Sequence, residues 1–136
     1  MEILVAEHHA RDKKYKSPNS FRGLETYIRS TIMDTDSLLL VAESDEKIVG
    51  YFIGNIEEAP TYLHEKRIGV VADTCVHPKF RKQKILSQLF EEALPWFKKR
   101  GVRTLELSVH IKNKAAIAAW EKFGFVSYRL RMRKTP

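Results

Sequence analysis

Long apolar runs, paired cysteines and a basic leader are all missing from this sequence of 136 residues. No stretch comes near the roughly 20 apolar residues that a membrane-spanning helix needs, so we expect no membrane span. Cys75 is the single cysteine and cannot form an internal disulfide, which favours a reducing compartment. The N-terminus becomes charged within a few residues and has no small-residue cleavage site, unlike a secretory signal. The sequence therefore predicts a cytoplasmic protein.

Acidic residues are in the minority, because 17 Asp and Glu face 24 Lys and Arg and the formal net charge is +7. Such a surface attracts anions, and nucleic acid, an acidic membrane and a phosphorylated cofactor all qualify. A merely solvated basic face is the alternative. The hydrophobic share of 43% and charged share of 30% are typical of a globular protein. This length predicts one domain with a single core over residues 1–136.

Periodicity and turn signals divide the first half of the chain into two helices followed by three strands. The helices are predicted over residues 3–15 and from Ser20 or Phe21 to about Met33, with Ser17, Pro18 and Asn19 between them. The strands are predicted at Ser37–Glu43, Lys47–Glu57 and Arg67–His77. A turn at residues 44–46 makes the first two strands a β-hairpin.

Helices and strands alternate in the second half of the chain. A helix from about Ile85 ends before Gly101, a residue suited to the left-handed position after a helix, and Pro95 should bend or loosen it. The next helix is capped by Asn113 and stopped by Gly124. Strands are predicted at Arg103–His110 and Val126–Met132. This order indicates a mixed α/β (α+β) fold with a largely antiparallel sheet.

Two segments resemble a known family. VHPKFRKQKILSQLF at 76–90 and NKAAIAAWEKFGF at 113–125 are similar to segments of the GNAT superfamily N-acyltransferases, with the same order and separation. The hairpin SLLLVAESDEKIVGYFIG adds to the likeness, which runs over roughly residues 1–130. The resemblance implies a mixed, largely antiparallel sheet flanked by helices. It also implies an enzyme that moves an acetyl or similar acyl group from acetyl-CoA to a primary amine.

The start of the chain departs from the family pattern. Family members usually place a strand before the helix that begins here near Ile3, so we expect this first strand to be missing. The strand Ser37–Glu43 then becomes a sheet edge with unpaired backbone groups. Such an edge favours a homodimer or a cover by another segment.

The resemblance also assigns residues to the cofactor. In the family, the first segment wraps the pyrophosphate of acyl-CoA and opens a helix, whose free N–H groups and positive dipole end suit phosphate. The contacts expected from the match are Thr74, Cys75, Val76, Arg81, Lys82, Gln83, Lys84, Ile85, Leu86, Ser87 and Asn113. Capping alone explains the asparagine, so the cofactor is its second role.

The expected phosphate-binding turn lacks the glycines of the family. Glycine is usual at Lys84, glycine or alanine at Leu86, and often another glycine at Lys82. Side chains there could crowd the ligand or disfavour a strained turn by about 1 kcal/mol or more. Either the two lysines offset the poorer backbone contacts with charge-assisted hydrogen bonds, or the turn no longer binds CoA.

Three residues are catalytic candidates. Asp73 lies just before the backbone expected to hold the thioester and could deprotonate the amine. Trp120 stands where the family commonly has a proton-donating tyrosine, which an indole cannot replace, so packing is its alternative role. Cys75 is the weakest candidate, because a nucleophilic thiol needs an activating partner that the sequence does not show.

Two function classes remain open from the residues. The first is an N-acyltransferase for a small-molecule or peptide amine. Glu57, Glu58 and Glu65 form an acidic patch around the bend before Asp73 that would steer a cationic acceptor, and a solvated loop is the alternative. The second is a catalytically impaired CoA-binding or protein-interaction module with the same fold. The histidines show no metal-ligand spacing, so no metal is predicted. The arginine stripe of the last strand lacks interleaved aromatic residues, which argues against nucleic acid.

Overall fold

The computed structural model describes residues 1–16 and 23–136. The helices are α1 (Glu2–Arg11), α2 (Leu24–Met33), α3 (Ile85–Lys99) and α4 (Lys114–Lys122). The strands are β1 (Ser37–Ser44), β2 (Lys47–Glu58), β3 (Arg67–Val76) and β4 (Leu105–Leu107). A short 3₁₀ turn at Pro78–Phe80 joins β3 to α3. The interruption predicted at Ser17, Pro18 and Asn19 and the helix start at Ser20 or Phe21 lie outside the described residues.

The four strands form one sheet in the order β1-β2-β3-β4. β1 pairs with β2 and β2 with β3 in antiparallel register, while β4 runs parallel to β3. This confirms the predicted hairpin and the mixed, largely antiparallel sheet. β1 pairs only with β2 among the described residues, so it lies at an edge, as expected.

The main core lies between the sheet and α3. Apolar residues of this helix recur every three or four positions, and Leu89, Phe90, Ala93 and Phe97 are buried on one face. Phe97 packs over the sheet at two glycines. A Cβ on Gly54 would come within 2.7 Å of the Phe97 ring and one on Gly69 within 2.8 Å, so the bare backbone at these positions admits the ring.

A β-bulge in β3 decides which residues face the site. Ile53 of β2 lies opposite Asp73 and Gly54 lies opposite Val71, which leaves Ala72 as an extra residue. Val71 belongs to the core under α3. Because paired residues share a face and Ile53 and Gly54 face opposite sides, the bulge turns Asp73 to the face that carries α1 and α2.

Two predicted elements were too long. The first helix ends at Arg11 rather than at residue 15, since Asp12 is extended. The strand predicted at Arg103–His110 is regular only over Leu105–Leu107, where β3 pairs with it. Helix α3 runs through Pro95 and ends at Lys99, before Gly101 as predicted.

The last predicted strand was wrong. Residues 125–136 form neither helix nor strand. The alternating apolar side chains of this segment are 62–85% exposed: Val126, Tyr128, Leu130 and Met132. Alternation predicts which way side chains face, but a strand also needs a partner edge, and β4 is three residues long. The segment is tied instead by side chains, because Arg133 and Lys14 donate hydrogen bonds to Asp12 and Thr135 respectively.

No helix in the described ranges is long and apolar enough to cross a membrane.

Candidate active site

The C-terminal half of β3 has a free backbone edge. β4 pairs with β3 only across Gly69–Val71, so nothing in the described chain pairs with this edge from Ala72 to Val76. The His77 N–H donates to the Val49 carbonyl at 2.8 Å, which directs it towards β2. Because N–H direction alternates along a strand, the Thr74 and Val76 N–H groups point to the free edge and that of Cys75 to β2. Two of the three predicted backbone donors are therefore available to a ligand.

The turn that follows β3 has the backbone conformation of a glycine turn without glycine. Lys82 and Lys84 adopt φ angles of 62° and 61°, in the left-handed region that glycine favours. Both lysine side chains are exposed, whereas Leu86 packs against the core under the sheet. The side chains that could have crowded a diphosphate therefore point to solvent or to the core.

The start of α3 offers donors for an anion. The helix begins at Ile85 and no side chain caps its first turn, so the N–H groups of Ile85, Leu86 and Ser87 have no intrahelical partner. These groups, the positive end of the helix dipole and the lysines of the preceding turn suit a phosphate group. The residues predicted to hold the pyrophosphate are thus brought together, and their contact with it stays a prediction.

Arg81, which the resemblance also assigns to the cofactor, makes two contacts within the protein. Its Nη2 donates to Glu7 Oε1 of α1 at 2.6 Å, and its Nε donates to the Val76 carbonyl oxygen at 2.9 Å. Hydrogen bonding to the Glu7 carboxylate raises the pKa of the guanidinium. Sequence reasoning did not find Glu7.

Asp73 lies on the α1/α2 side of the sheet, next to the free edge. The Tyr27 hydroxyl donates to Asp73 Oδ2 at 2.7 Å. Burial raises the pKa of Asp73, while the Tyr27 hydrogen bond and the nearby His8 lower it. The pKa of His8 is itself lowered, first by burial and then by Arg11. A carboxyl whose pKa is raised by burial holds a proton more strongly than an exposed one, as a general base requires.

The sequence pattern did not identify Tyr27 as a site residue, although one signal was present. It follows Leu24 by three positions and precedes the buried Thr31 by four, so it lies on the face of α2 that meets the sheet. A phenol on a buried face needs a hydrogen-bond partner. The sequence could not show that this partner is a carboxylate 46 positions away.

Cys75 is half-buried, and its surroundings disfavour a thiolate. Burial raises the pKa of the thiol, and the Glu7 carboxylate raises it further. Sγ lies 3.9 Å from the Val76 carbonyl oxygen. A packing role explains these contacts, and a nucleophilic role stays an untested prediction.

Trp120 is buried in an aromatic cluster with Phe90, Phe123 and Phe125, at ring centroid distances of 5.4–5.7 Å. This fits the packing alternative, while a direct catalytic part stays untested. Asn113 caps α4 as predicted, since its side chain accepts a hydrogen bond from the Ala116 N–H at 3.3 Å.

The expected acidic patch does not lie beside Asp73. Glu57 and Glu58 pair with Ile68 and Arg67 at the opposite end of β3. Glu65 accepts a hydrogen bond from the Thr104 hydroxyl at 2.7 Å. The acidic patch was assigned to the site because it is close to Asp73 in sequence. At 3.3 Å per residue, however, the extended strand separates the patch from Asp73 by about 15 Å.

Potential metal ligands do not cluster in the part of the chain that the structure describes: no three His, Cys, Asp or Glu side chains are placed to hold an ion.

Comparison with known proteins assigns this chain to a family. The chain matches the acetyltransferase (GNAT) family over residues 4–125. It belongs to the GNAT family. This GNAT chain is 27% identical over 131 residues to an uncharacterized N-acetyltransferase of Methanocaldococcus jannaschii, covering 92% of this chain and 54% of that protein.

A second relative is a ribosomal protein bS18 alanine N-acetyltransferase of Escherichia coli, 38% identical over 61 residues, with 45% of this chain and 41% of that protein covered. The chain thus spans about half the length of the curated relatives it matches. Among solved structures, an aminoglycoside N-acetyltransferase in complex with CoA superposes with a TM-score of 0.70 at 17% identity, covering 85% of this chain and 90% of that one. This likeness shows that the GNAT fold is shared.

Proposed function

We propose that this GNAT chain is an N-acetyltransferase that moves an acetyl group from acetyl-CoA to a primary amine. The observation that carries the proposal is the left-handed backbone of Lys82 and Lys84 immediately before an uncapped α3. Left-handed backbone costs a non-glycine residue about 1 kcal/mol or more, and such strain persists mainly where function requires the geometry. The turn keeps a glycine-type conformation without glycine.

The charges of the turn support the same ligand. Acyl-CoA carries several phosphate groups, and the exposed lysines of the turn can donate charge-assisted hydrogen bonds to them. The solved aminoglycoside acetyltransferase with the same fold holds CoA. We therefore assign the diphosphate to the amides of α3 and to Lys82 and Lys84, and the pantetheine arm to the free edge of β3.

The remaining steps use residues of β3. The bound thioester supplies the activated acyl group, and Thr74 and Val76 N–H groups at the free edge can orient and polarise its carbonyl. Asp73 takes a proton from the acceptor's ammonium group, directly or through water, and the neutral amine then attacks, because a protonated amine cannot attack. Attack by the neutral amine forms the C–N bond, and collapse of the tetrahedral intermediate breaks the C–S bond. Trp120 donates no proton to the leaving thiolate, which leaves as an anion because its conjugate acid has a pKa near 8.5. The second nitrogen proton passes to water or to the thiolate.

The acceptor belongs to one of two chemical classes. The printed names of relatives and neighbours include a ribosomal protein alanine acetyltransferase and aminoglycoside acetyltransferases. We propose a primary amine of a peptide or of a small molecule, since both present the same reacting nitrogen. A panel of peptide N-termini, lysine peptides and aminoglycosides, assayed for thiol release, separates the two.

Calorimetry and thiol release together test the enzyme proposal. Titration with CoA and acetyl-CoA should give micromolar affinity that weakens with salt, because salt screens the attraction between the lysines and the phosphates. Amine-dependent CoASH release should follow, and Asp73→Asn should reduce its rate about 10²- to 10⁴-fold while leaving CoA affinity within twofold. The matched control is Asp45→Asn in the β1–β2 turn. Binding without release would identify a CoA-binding module, and no binding would refute both.

We also propose that β1 pairs with β1 of a second copy. The Ile56 N–H donates to the Asp36 carbonyl, so by alternation Leu39 and Val41 direct their N–H and C=O groups away from β2. Antiparallel self-pairing centred on Leu40 places Leu39 opposite the second copy's Val41, with apolar side chains on both. This edge is unpaired within the described residues, and unpaired edges favour association.

A further inference from the structure

The Arg81 side chain joins three parts of the site. Nη2 contacts Glu7 Oε1 on α1 at 2.6 Å, and Nε closes the turn onto the Val76 carbonyl at 2.9 Å. The Glu7 and Arg81 side chains are 27% and 41% exposed, so the ion pair is partly shielded from water. Two of the donor directions of the guanidinium are therefore used within the protein.

The position of this contact matters because strained backbone follows it directly. Lys82 and Lys84 need surrounding contacts to hold φ near 60°. On the α3 side, Ile85 and Leu86 pack against the core and hold the turn. On the β3 side, His77 Nδ1 accepts a hydrogen bond from the Lys79 N–H and Gln83 Nε2 donates one to the Lys79 carbonyl, both within the segment itself. The hydrogen bonds of Arg81 tie this segment to the end of β3 and to α1. The turn is thus clamped at both ends.

We infer that Glu7 is a positioning residue for cofactor binding, and that the Arg81 guanidinium braces the turn against α1 and does not act as a phosphate ligand. This inference rests on the proposed acyl-CoA site. Glu7 acts through Arg81, and the phosphates are left to Lys82, Lys84 and the amides of α3. The family resemblance implies that Arg81 helps to hold the pyrophosphate, and the inference replaces that role with a bracing one.

The two roles predict opposite signs for one substitution. Glu7→Gln removes a negative charge near an anionic ligand and loosens the hold on the arginine, because a neutral amide oxygen accepts a weaker hydrogen bond than a carboxylate. If Arg81 were a phosphate ligand held back by Glu7, this variant would bind CoA more tightly. If the pair is a brace, the variant binds CoA about three- to fivefold more weakly, the range that a partly exposed ion pair supplies.

The experiment is CoA titration by calorimetry of the wild-type chain, Glu7→Gln, Arg81→Lys and their double variant. Arg81→Lys keeps the positive charge but cannot make both hydrogen bonds, so we expect the same weakening as in Glu7→Gln. The double variant should bind CoA no more weakly than either single variant, because both substitutions break the same Glu7–Arg81 contact. Glu25→Gln is the matched control: it breaks an exposed ion pair with Arg29 on α2 and should leave CoA affinity unchanged.

A second readout separates bracing from general damage. The weakening should appear as a higher KM for acetyl-CoA with kcat within twofold, and thermal unfolding should show that each variant is folded. Tighter binding in Glu7→Gln, or full affinity in Arg81→Lys, would overturn the inference while leaving the transferase proposal intact. Absence of CoA binding by the wild-type chain would overturn the proposed function itself.

Discussion

Single residues carry the unusual features of this site, and the most informative are two lysines in a conformation that glycine prefers. Lys82 and Lys84 hold left-handed backbone before an uncapped helix. The sequence shows that glycine is missing there, and the structure shows that the glycine-type conformation is nevertheless present. The chain thus accepts strain in the turn and gains two positive charges beside the expected phosphates.

Lys84→Gly tests the strain directly. Glycine adopts this φ without a Cβ penalty, so the free energy of unfolding should rise by about 0.5–1 kcal/mol after allowing for the greater entropy of glycine in the unfolded chain. Urea denaturation measures the change. Lys79→Gly, an exposed lysine of the adjoining 3₁₀ turn without positive φ, is the control and should lower stability. Equal effects of the two substitutions would contradict the strain argument.

Tyr27→Phe tests the environment of Asp73. The Tyr27 hydrogen bond lowers the pKa of Asp73, against the rise caused by burial. Its removal should raise this pKa further, and a general base works only above its own pKa. The acid limb of the kcat/KM profile should therefore move to higher pH, with the plateau rate reduced less than tenfold. Tyr15→Phe, which alters an exposed tyrosine, should leave the limb in place. An unshifted limb in Tyr27→Phe would exclude Asp73 as the titrating base.

At the scale of elements, the contact between α3 and the sheet sets where the phosphate-binding turn lies. Phe97 occupies space above Gly54 and Gly69 that a methyl group would fill. The same helix carries the free amides of Ile85 and Leu86 at its other end. Bare backbone at the two glycines therefore helps to fix both the core and the orientation of the helix start.

Gly69→Ala should be costly for this reason. The added methyl would clash with Leu105 Cδ2 and would lie 2.8 Å from two Phe97 ring atoms, and overpacking of a dense core costs about 1–3 kcal/mol. Gly50→Ala is the matched comparison, since its nearest neighbour would be the Cys75 carbonyl oxygen at 3.2 Å, and it should cost less. Chemical denaturation measures both. A larger loss in Gly50→Ala would show that Leu105 and Phe97 adapt more easily than the structure suggests.

At the scale of the whole molecule, the open edge of β1 raises the question of assembly. Val41 is 47% exposed and sits on the strand whose outer backbone groups are unpaired in the described chain. Val41→Lys should place a charge at the proposed contact without removing a hydrogen bond to β2. Light scattering at micromolar concentration should give a dimer for the wild-type chain and a monomer for the variant. A wild-type monomer would refute the pairing, and Ile48→Lys, outside the β1 edge, is the control.

Much of the fold could be predicted because its signals are local. The hairpin, β3, α3 and the Asn113 cap follow from alternation, helical periodicity and capping chemistry, which depend on residues a few positions apart. The last strand was wrong because the alternation of Val126–Met132 was read without knowing whether a partner edge exists. The predicted length of β4 was wrong for the same reason, since pairing with β3 decides where this strand begins and ends.

The features of the candidate site also separate into those set by local sequence and those set by tertiary contacts. The sequence by itself determined the basic turn at residues 81–86, the position of Asp73 on β3 and the family resemblance, because each is contained in a contiguous segment. Only the tertiary structure decided that Tyr27 holds Asp73 and that Glu7 holds Arg81, 74 positions away. It also decided that the lysines keep a glycine-type backbone. These features depend on where helices that are distant in sequence pack on the sheet, and no local sequence pattern determines that position.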